Sequence, residues 1–154
     1  MSTDIRMTHK ILLIQGPNLN FLGHRQPEIY GHTTAAELDV LCREHARENG
    51  YELEIFYNNT EGLIVDRIYS ALEEGVHGVV INPGALSYAG HALRVCMMSV
   101  PIPFIEIHIG NLDARNIVSV LSKNATGVIH GFGMDSYRLG LDGLLRRLDK
   151  TGWV

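Results

Sequence analysis

Short apolar segments alternate with longer segments of helical periodicity along the chain. The apolar segments have the length and composition of strands that are buried on one or both faces. They span residues 10–15, 51–57, 77–82, 103–109 and 127–132. The periodicity between them predicts helices over residues 33–49, 62–75, 87–99, 112–122 and 134–150. Thr34 and Glu37 have the spacing of a capping box, and Gly50 stands where the first of these helices would end.

Five successive strand–helix units predict a parallel sheet with helices on both faces. Because crossover connections are right-handed, the expected fold is an α/β, flavodoxin-like three-layer sandwich with a five-stranded parallel sheet. The sequence contains no repeat, low-complexity tract or linker, so we expect residues 10–154 to form a single domain. We expect residues 1–9 to form a flexible N-terminal tail.

The composition restricts the kinds of partner and compartment. Of 154 residues, 45% are hydrophobic and 19% charged, as in an ordinary globular domain. The formal net charge of -4 argues against nucleic acid and anionic membranes as partners. No apolar run has the length of a membrane span, and the first ten residues lack the apolar segment of a signal peptide. Cys42 and Cys96 fall in predicted helices, so we expect reduced, packed thiols and a cytoplasmic protein.

Polar loops follow four of the predicted strands. Their sequences are GPNLN, NNTEG, NPGA and HIGN. In an open parallel sheet, ligands bind beyond the carboxyl ends of the strands, so we expect these loops to meet in one site. The first loop, residues 16–31, is much longer than an ordinary turn, which favours a functional role.

The sequence lacks the motifs of nucleotide and metal sites. GPNLN is neither a dinucleotide-binding glycine pattern nor a phosphate-binding loop. The eight histidines form no His-Glu-x-x-His motif and no Cys/His cluster, and there is no Gly-x-Ser-x-Gly elbow. The sequence therefore predicts that the protein uses no cofactor and no metal.

Arg25 and Tyr30 in the long first loop are candidates for proton transfer. A tyrosine hydroxyl is a poor base near neutral pH, but a nearby guanidinium favours the ionised phenolate. The alternative is that Arg25 is solvated and that Tyr30 only packs against the protein.

Four further polar residues lie near the predicted site. Asn18 and Asn82 are either turn formers or groups that hold a water or a substrate hydroxyl. His108, at the end of the fourth strand, has a functional or a structural role. Arg115 either binds an anion or faces solvent.

Four motifs in register closely resemble those of type II 3-dehydroquinate dehydratases. They are GPNLNFLGHRQPEIYG, INPGA, EIHIGN followed by Ala114-Arg115, and ATGVIHGFG, and the resemblance extends from about residue 10 to residue 145. It implies a flavodoxin-like subunit in a homo-dodecamer, a tetramer of trimers, without metal or cofactor. It also implies the anti elimination of water from 3-dehydroquinate, a small cyclic substrate, to give 3-dehydroshikimate.

The resemblance assigns roles to individual residues. Tyr30 is implied to be the base that removes a proton beside the ketone, and Arg25 to keep Tyr30 ionised. Residues 24–30 are implied to form a mobile lid that excludes water, and Asn18 to orient a water at the enolate oxygen. The implied substrate-binding or supporting residues are Asn82, Glu106, His108, Ile109, Gly110 and Arg115.

Four positions differ from the pattern of the family. Gln26 replaces a glutamate after the lid arginine, and Tyr88 replaces a histidine that binds a substrate hydroxyl, with His91 three residues further on. Val95 replaces an acid at the trimer interface, and Ser119 replaces an arginine that binds a ring hydroxyl. Tyr88 or His91 could take over the lost histidine contact.

The unchanged positions belong to the half of the family's site that holds the catalytic base. Three functions therefore remain open. One is the family reaction. A second is a related enzyme that keeps the Tyr/Arg/Asn half but acts on a different, less hydroxylated cyclic carbonyl or carboxylate substrate, or acts as a hydrolase. A third is a non-catalytic binding or assembly protein.

Overall fold

The structure, a computed structural model, describes residues 8–153, so residues 1–7 of the tail expected over residues 1–9 lie outside it. Within this range the strands are β1 (Lys10–Gln15), β2 (Glu52–Tyr57), β3 (Gly78–Asn82), β4 (Phe104–His108) and β5 (Gly127–His130). The helices are α1 (Pro27–Tyr30), α2 (Ala35–Asn49), α3 (Glu61–Glu73), α4 (Leu86–Ala89), α5 (His91–Ser99) and α6 (Asp135–Asp149).

All strand pairs are parallel, and the order across the sheet is β2-β1-β3-β4-β5. Successive side chains of β1 point to opposite faces of the sheet. Ile11 and Leu13 pack with α2 and α6 on one face, whereas Leu12 and Ile14 pack with α3 and α5 on the other. The predicted flavodoxin-like three-layer α/β sandwich is therefore confirmed.

The start of α2 agrees with the predicted capping box. The Glu37 backbone N–H donates to Thr34 Oγ1 at 3.2 Å, and the Thr34 backbone N–H donates to Glu37 Oε2 at 3.0 Å. At the other end, Gly50 has a φ of 68° and ends the helix. Both helix ends follow from residues close together in the chain.

The helix predicted over residues 112–122 is wrong. The chain there forms two 3₁₀ turns, Asp113–Arg115 and Ser122–Asn124, joined by an irregular segment. The Leu121 N–H donates to the side chain of Ser119, and the Val120 N–H donates to Ser87 O at 2.6 Å. These contacts satisfy backbone donors that a helix would have used internally.

Two further predicted elements differ in detail. The helix expected over residues 87–99 is interrupted at Gly90, where a Cβ would lie 2.5 Å from Leu86 O. The long first loop contains a 3₁₀ turn at Leu19–Phe21 and the short helix α1.

His9, which was expected in the tail, is bound to the folded part of the chain. Its carbonyl accepts the Glu52 N–H at 2.9 Å, and its Nε2 lies 2.7 Å from Asp149 Oδ1. Among the described helices, none combines the length and the apolar character needed to cross a membrane.

Candidate active site

The loops after β1 and β3 pack backbone against backbone. The Gly16 N–H donates to Asn82 O at 2.9 Å, and a Cβ on Gly16 would lie 2.5 Å from Pro83 O. Gly84 has a φ of 55°, and a Cβ there would lie 2.9 Å from Pro17 O. Only glycine fits this close approach, which brings the polar groups of both loops to the same edge of the sheet.

A cleft that is open to solvent at its mouth lies at this edge. Most of the predicted site residues line it: Arg25, Tyr30, Asn82, Tyr88, His108, Ile109, Gly110 and Arg115. The prediction that the loops after the strands meet in one site agrees with this cleft for the loops after β1, β3 and β4.

Tyr30, at the end of α1, lies beside two guanidinium groups. Arg115 Nη1 donates to Tyr30 Oη at 3.2 Å, and Arg25 Cζ lies 4.9 Å from the centre of the Tyr30 ring. The sequence pointed to Arg25 as the partner of the phenol, whereas the structure brings Arg115 to its oxygen. Two positive charges therefore surround one half-buried tyrosine.

His108 is held by a buried carboxylate. Its Nε2 lies 2.6 Å from Glu106 Oε1, and Ser122 Oγ donates to Glu106 Oε2 at 2.8 Å. Burial raises the pKa of Glu106, but hydrogen bonds from His108, Ser119 and Ser122 outweigh it and leave the pKa below its usual value. Glu106 is therefore an ionised acceptor that fixes the tautomer of His108 and leaves Nδ1 for the cleft.

Ile109 and Gly110 follow His108 and contribute backbone to the cleft wall. Neither N–H group donates to a protein acceptor within residues 8–153. Adjacent free N–H groups in a cleft suit an anion such as a carboxylate.

Asn82 is connected to the core by residues that the sequence analysis did not identify. Its Nδ2 donates to Tyr137 Oη at 2.8 Å, and that hydroxyl donates to Gln15 Oε1 at 2.8 Å. The sequence could have indicated Gln15, since it is a polar residue at the end of an apolar strand, as Asn82 is. It could not have indicated Tyr137, because the position of Tyr137 is that of an ordinary core residue of α6.

Three predicted site residues do not line the cleft. Asn18 is exposed at its rim with a φ of 69°, and its backbone N–H donates to Asn59 Oδ1 at 2.8 Å. Glu106 lies behind His108. His91 is exposed at the first residue of α5 and does not line this cleft.

The remaining positions that differ from the family pattern are also located. Tyr88 forms part of the cleft wall and is 57% exposed. Ser119 is buried beside Glu106 rather than on the cleft wall. Val95 and Gln26 are exposed and lie outside the wall.

No three His, Cys, Asp or Glu side chains come together to hold a metal ion in the described part of the chain. The cleft instead combines a tyrosine beside two arginines with a carboxylate-bound histidine. Such a pair of groups can remove a proton from a ligand and deliver one to it.

Comparison with known proteins gives a consistent result. Residues 9–145 match the family model described as dehydroquinase class II. The chain is 46% identical over 145 residues to the catabolic 3-dehydroquinase 1 of Fusarium vanettenii, covering 92% of this chain and 100% of that protein. It is 44% identical over 146 residues to the 3-dehydroquinate dehydratase of Xanthomonas oryzae pv. oryzae, covering 93% and 98%.

A solved structure agrees with these relatives. The type II dehydroquinase from Butyrivibrio crossotus superposes with a TM-score of 0.87 at 38% identity, covering 90% of this chain and 98% of that one. The chain therefore belongs to the class II dehydroquinase family.

Proposed function

We propose that this protein is a 3-dehydroquinate dehydratase, a hydro-lyase that converts 3-dehydroquinate to 3-dehydroshikimate and water. The relatives that carry this name or that of a 3-dehydroquinase match almost the whole chain. The observation that carries the proposal is the Tyr30 hydroxyl bound by Arg115 in the same cleft as the His108–Glu106 pair.

Tyr30 is the proposed base. As a phenolate it takes the proton from the carbon between the ketone and the carbon that bears the departing hydroxyl, which leaves an enolate. Arg115 donates to the Tyr30 oxygen and Arg25 lies over its ring, so the structure places two cations beside the group that takes the proton.

His108 is the proposed acid, a role that the sequence analysis left unassigned. The departing hydroxyl takes a proton from His108 and leaves as water. Glu106 compensates the positive charge of protonated His108 at 2.6 Å. A proton returns from Tyr30 to His108 through solvent to complete the cycle.

The remaining groups hold the substrate. Ile109 and Gly110 bind its carboxylate through their N–H groups, and Asn82 hydrogen-bonds a ring hydroxyl. Asn18 acts from the rim of the cleft, where it orients a water at the enolate oxygen. Residues 24–30, which carry Arg25 and α1, act as a lid that closes over the bound substrate.

A second candidate is the same chemistry on a less hydroxylated ring. It is favoured by the cleft wall, in which Arg25 and Arg115 are the cationic residues and both face Tyr30. Ser119, buried beside Glu106, supplies no cation for a distant hydroxyl.

Turnover of 3-dehydroquinate, followed by the ultraviolet absorbance of the conjugated product, tests the proposal. We expect wild-type turnover, and a loss of kcat of about 100-fold or more in Tyr30→Phe, because general base catalysis contributes about that much. Tyr69→Phe is the matched control, since Tyr69 is an exposed tyrosine on α3 outside the cleft.

Near-normal turnover in Tyr30→Phe would remove Tyr30 from the mechanism. A folded wild-type protein without turnover would reject 3-dehydroquinate as substrate and favour the second candidate, which a panel of less hydroxylated cyclic ketones and acids would then test.

A further inference from the structure

Buried hydrogen bonds connect the cleft with the core through Asn82. Gly84 N–H donates to Asn82 Oδ1 at 3.2 Å, and Asn82 Nδ2 donates to Tyr137 Oη at 2.8 Å. Tyr137 then donates to Gln15 Oε1 at 2.8 Å. Asn82, Tyr137 and Gln15 are only 3%, 1% and 0% exposed, so water cannot easily replace any of these partners.

The direction of every bond in this series follows from the first. A backbone N–H can only donate, so the side-chain atom of Asn82 that faces Gly84 must be Oδ1. Nδ2 therefore faces Tyr137, whose oxygen accepts and whose single hydrogen goes to Gln15 Oε1. The opposite orientation of the Asn82 amide would place two donors against each other at Gly84.

These bonds use one N–H and one lone pair of the Asn82 amide. The amide keeps a second N–H and a second lone pair, and Asn82 lines the cleft. An adjacent donor and acceptor match a ligand hydroxyl, which can accept and donate at once. Turning the amide would exchange the two, so the ligand hydroxyl would have to donate at the position where it now accepts and accept where it now donates.

Gln15 is a fully buried polar residue at the end of an otherwise apolar strand. Its Nε2 has no hydrogen-bond partner in the described structure, but the side chain lies close enough to the Tyr57 hydroxyl to favour the phenolate form of Tyr57. The atom of Gln15 that contacts Tyr137 is Oε1, which accepts the hydrogen bond from the Tyr137 hydroxyl.

We propose that Tyr137, supported by Gln15, is a positioning residue that holds the Asn82 amide in the orientation set by the Gly84 N–H, in which it binds a substrate hydroxyl. It touches no substrate itself and acts through Asn82. The proposal deepens the proposed function and rests on it for its kinetic test.

The kinetic test compares Tyr137→Phe with Tyr51→Phe. Both rings pack in the same core, but the Tyr51 hydroxyl bonds His45 Nδ1 at 2.8 Å and is not part of the Asn82 series. We expect Tyr137→Phe to raise KM by about three- to ten-fold, the effect of one hydrogen bond, with kcat within about two-fold of wild type. Tyr51→Phe should leave KM unchanged, whereas a lower kcat at unchanged KM in Tyr137→Phe would overturn the proposal.

A double variant tests whether Tyr137 acts through Asn82. In Asn82→Ala the amide is gone, so adding Tyr137→Phe should leave KM where Asn82→Ala puts it. A further rise of KM, equal to that in the single Tyr137→Phe variant, would show independent action and contradict the proposal. If Tyr137→Phe does not fold, Gln15→Met removes the acceptor of the Tyr137 hydroxyl and should raise KM in the same way.

A readout without turnover separates this proposal from the proposed function. With ¹⁵N-labelled asparagine, the side-chain NH₂ signal of Asn82 is identified by its disappearance in Asn82→Ala. We expect the proton that bonds Tyr137 to exchange slowly with solvent in the wild type and in Tyr51→Phe, and faster in Tyr137→Phe. An unaltered Asn82 signal in Tyr137→Phe would reject the positioning role, whereas absent turnover of 3-dehydroquinate would reject only the proposed function.

Discussion

Glu106 is a carboxylate with 0% exposure, and the residues around it determine its charge. His108 and Ser122 bond its two oxygens, and Ser119 adds a further hydrogen bond. Because these bonds outweigh burial, the pKa of Glu106 in the folded protein lies below its usual value. The ionised form is therefore linked to folding.

This linkage predicts how stability depends on pH. A carboxyl group whose pKa is lowered by folding contributes its full stabilisation above its unfolded pKa, about 4.3, and loses it as pH falls through the lower folded pKa. We therefore expect the free energy of unfolding of the wild type to fall below about pH 4.3, and to fall less in Glu106→Gln.

Urea unfolding at a series of pH values between neutral and acid conditions measures this difference. Glu48→Gln is the matched control, because Glu48 is 66% exposed and should leave the wild-type slope in place. A Glu106→Gln variant with the same loss of stability on acidification would show that Glu106 is not the group responsible.

The sequence indicated the residues of the cleft unevenly. Asn82 and His108 were predicted because they are polar and end apolar strands, and Tyr30 because it lies near Arg25 in the long first loop. Tyr137 was missed because its hydroxyl meets Asn82 across 55 positions of chain, and nothing near it in the sequence differs from a core residue. The bond of Arg115 to Tyr30 likewise joins residues 85 positions apart.

Among the helices and strands, α2 is the one whose ends depend most on residues close together in the sequence. Its capping box uses Thr34 and Glu37, and its first turn leads to Leu38 in the core. The helix expected over residues 112–122 shows the opposite case. The apolar residues of this segment do have helical spacing, and Leu121 is buried in the core. However, the backbone N–H of the neighbouring Val120 bonds the carbonyl of Ser87 and not a carbonyl one turn earlier in a helix. Tertiary contacts therefore outweighed the helical preference.

Removing the cap separates stability from activity. We expect Thr34→Ala to lower the free energy of unfolding by about 1 kcal/mol, the usual value of an N-cap side chain, with kcat/KM within about two-fold of wild type. Thermal unfolding together with turnover measures both effects. Thr33→Ala, one residue outside the box, is the control, and an equal loss in both variants would show that the cap is not the cause.

The whole molecule exposes apolar side chains that a partner subunit could cover. Val95 and Met98 on α5 are 54% and 55% exposed and lie about one turn apart. Exposed apolar surface of this kind favours association. The resemblance to the family implies a dodecamer despite the valine at position 95.

We propose that twelve copies assemble, and sedimentation measures the result. A dodecamer of a 17.1 kDa chain has a mass of about 205 kDa. A species of this mass would show that an acid at position 95 is dispensable for assembly. A species of three copies would contradict the proposal and would indicate that the contact between trimers is lost at α5.

The sequence by itself determined the five strands, the three layers and the edge of the sheet that carries the cleft. It could do so because hydrophobic periodicity is a local property and parallel strands all end at one edge. Only the tertiary structure decided which guanidinium bonds Tyr30, which hydroxyl bonds Asn82 and how the chain runs between residues 112 and 122. Those outcomes depend on contacts between residues far apart in the chain, which no local pattern encodes.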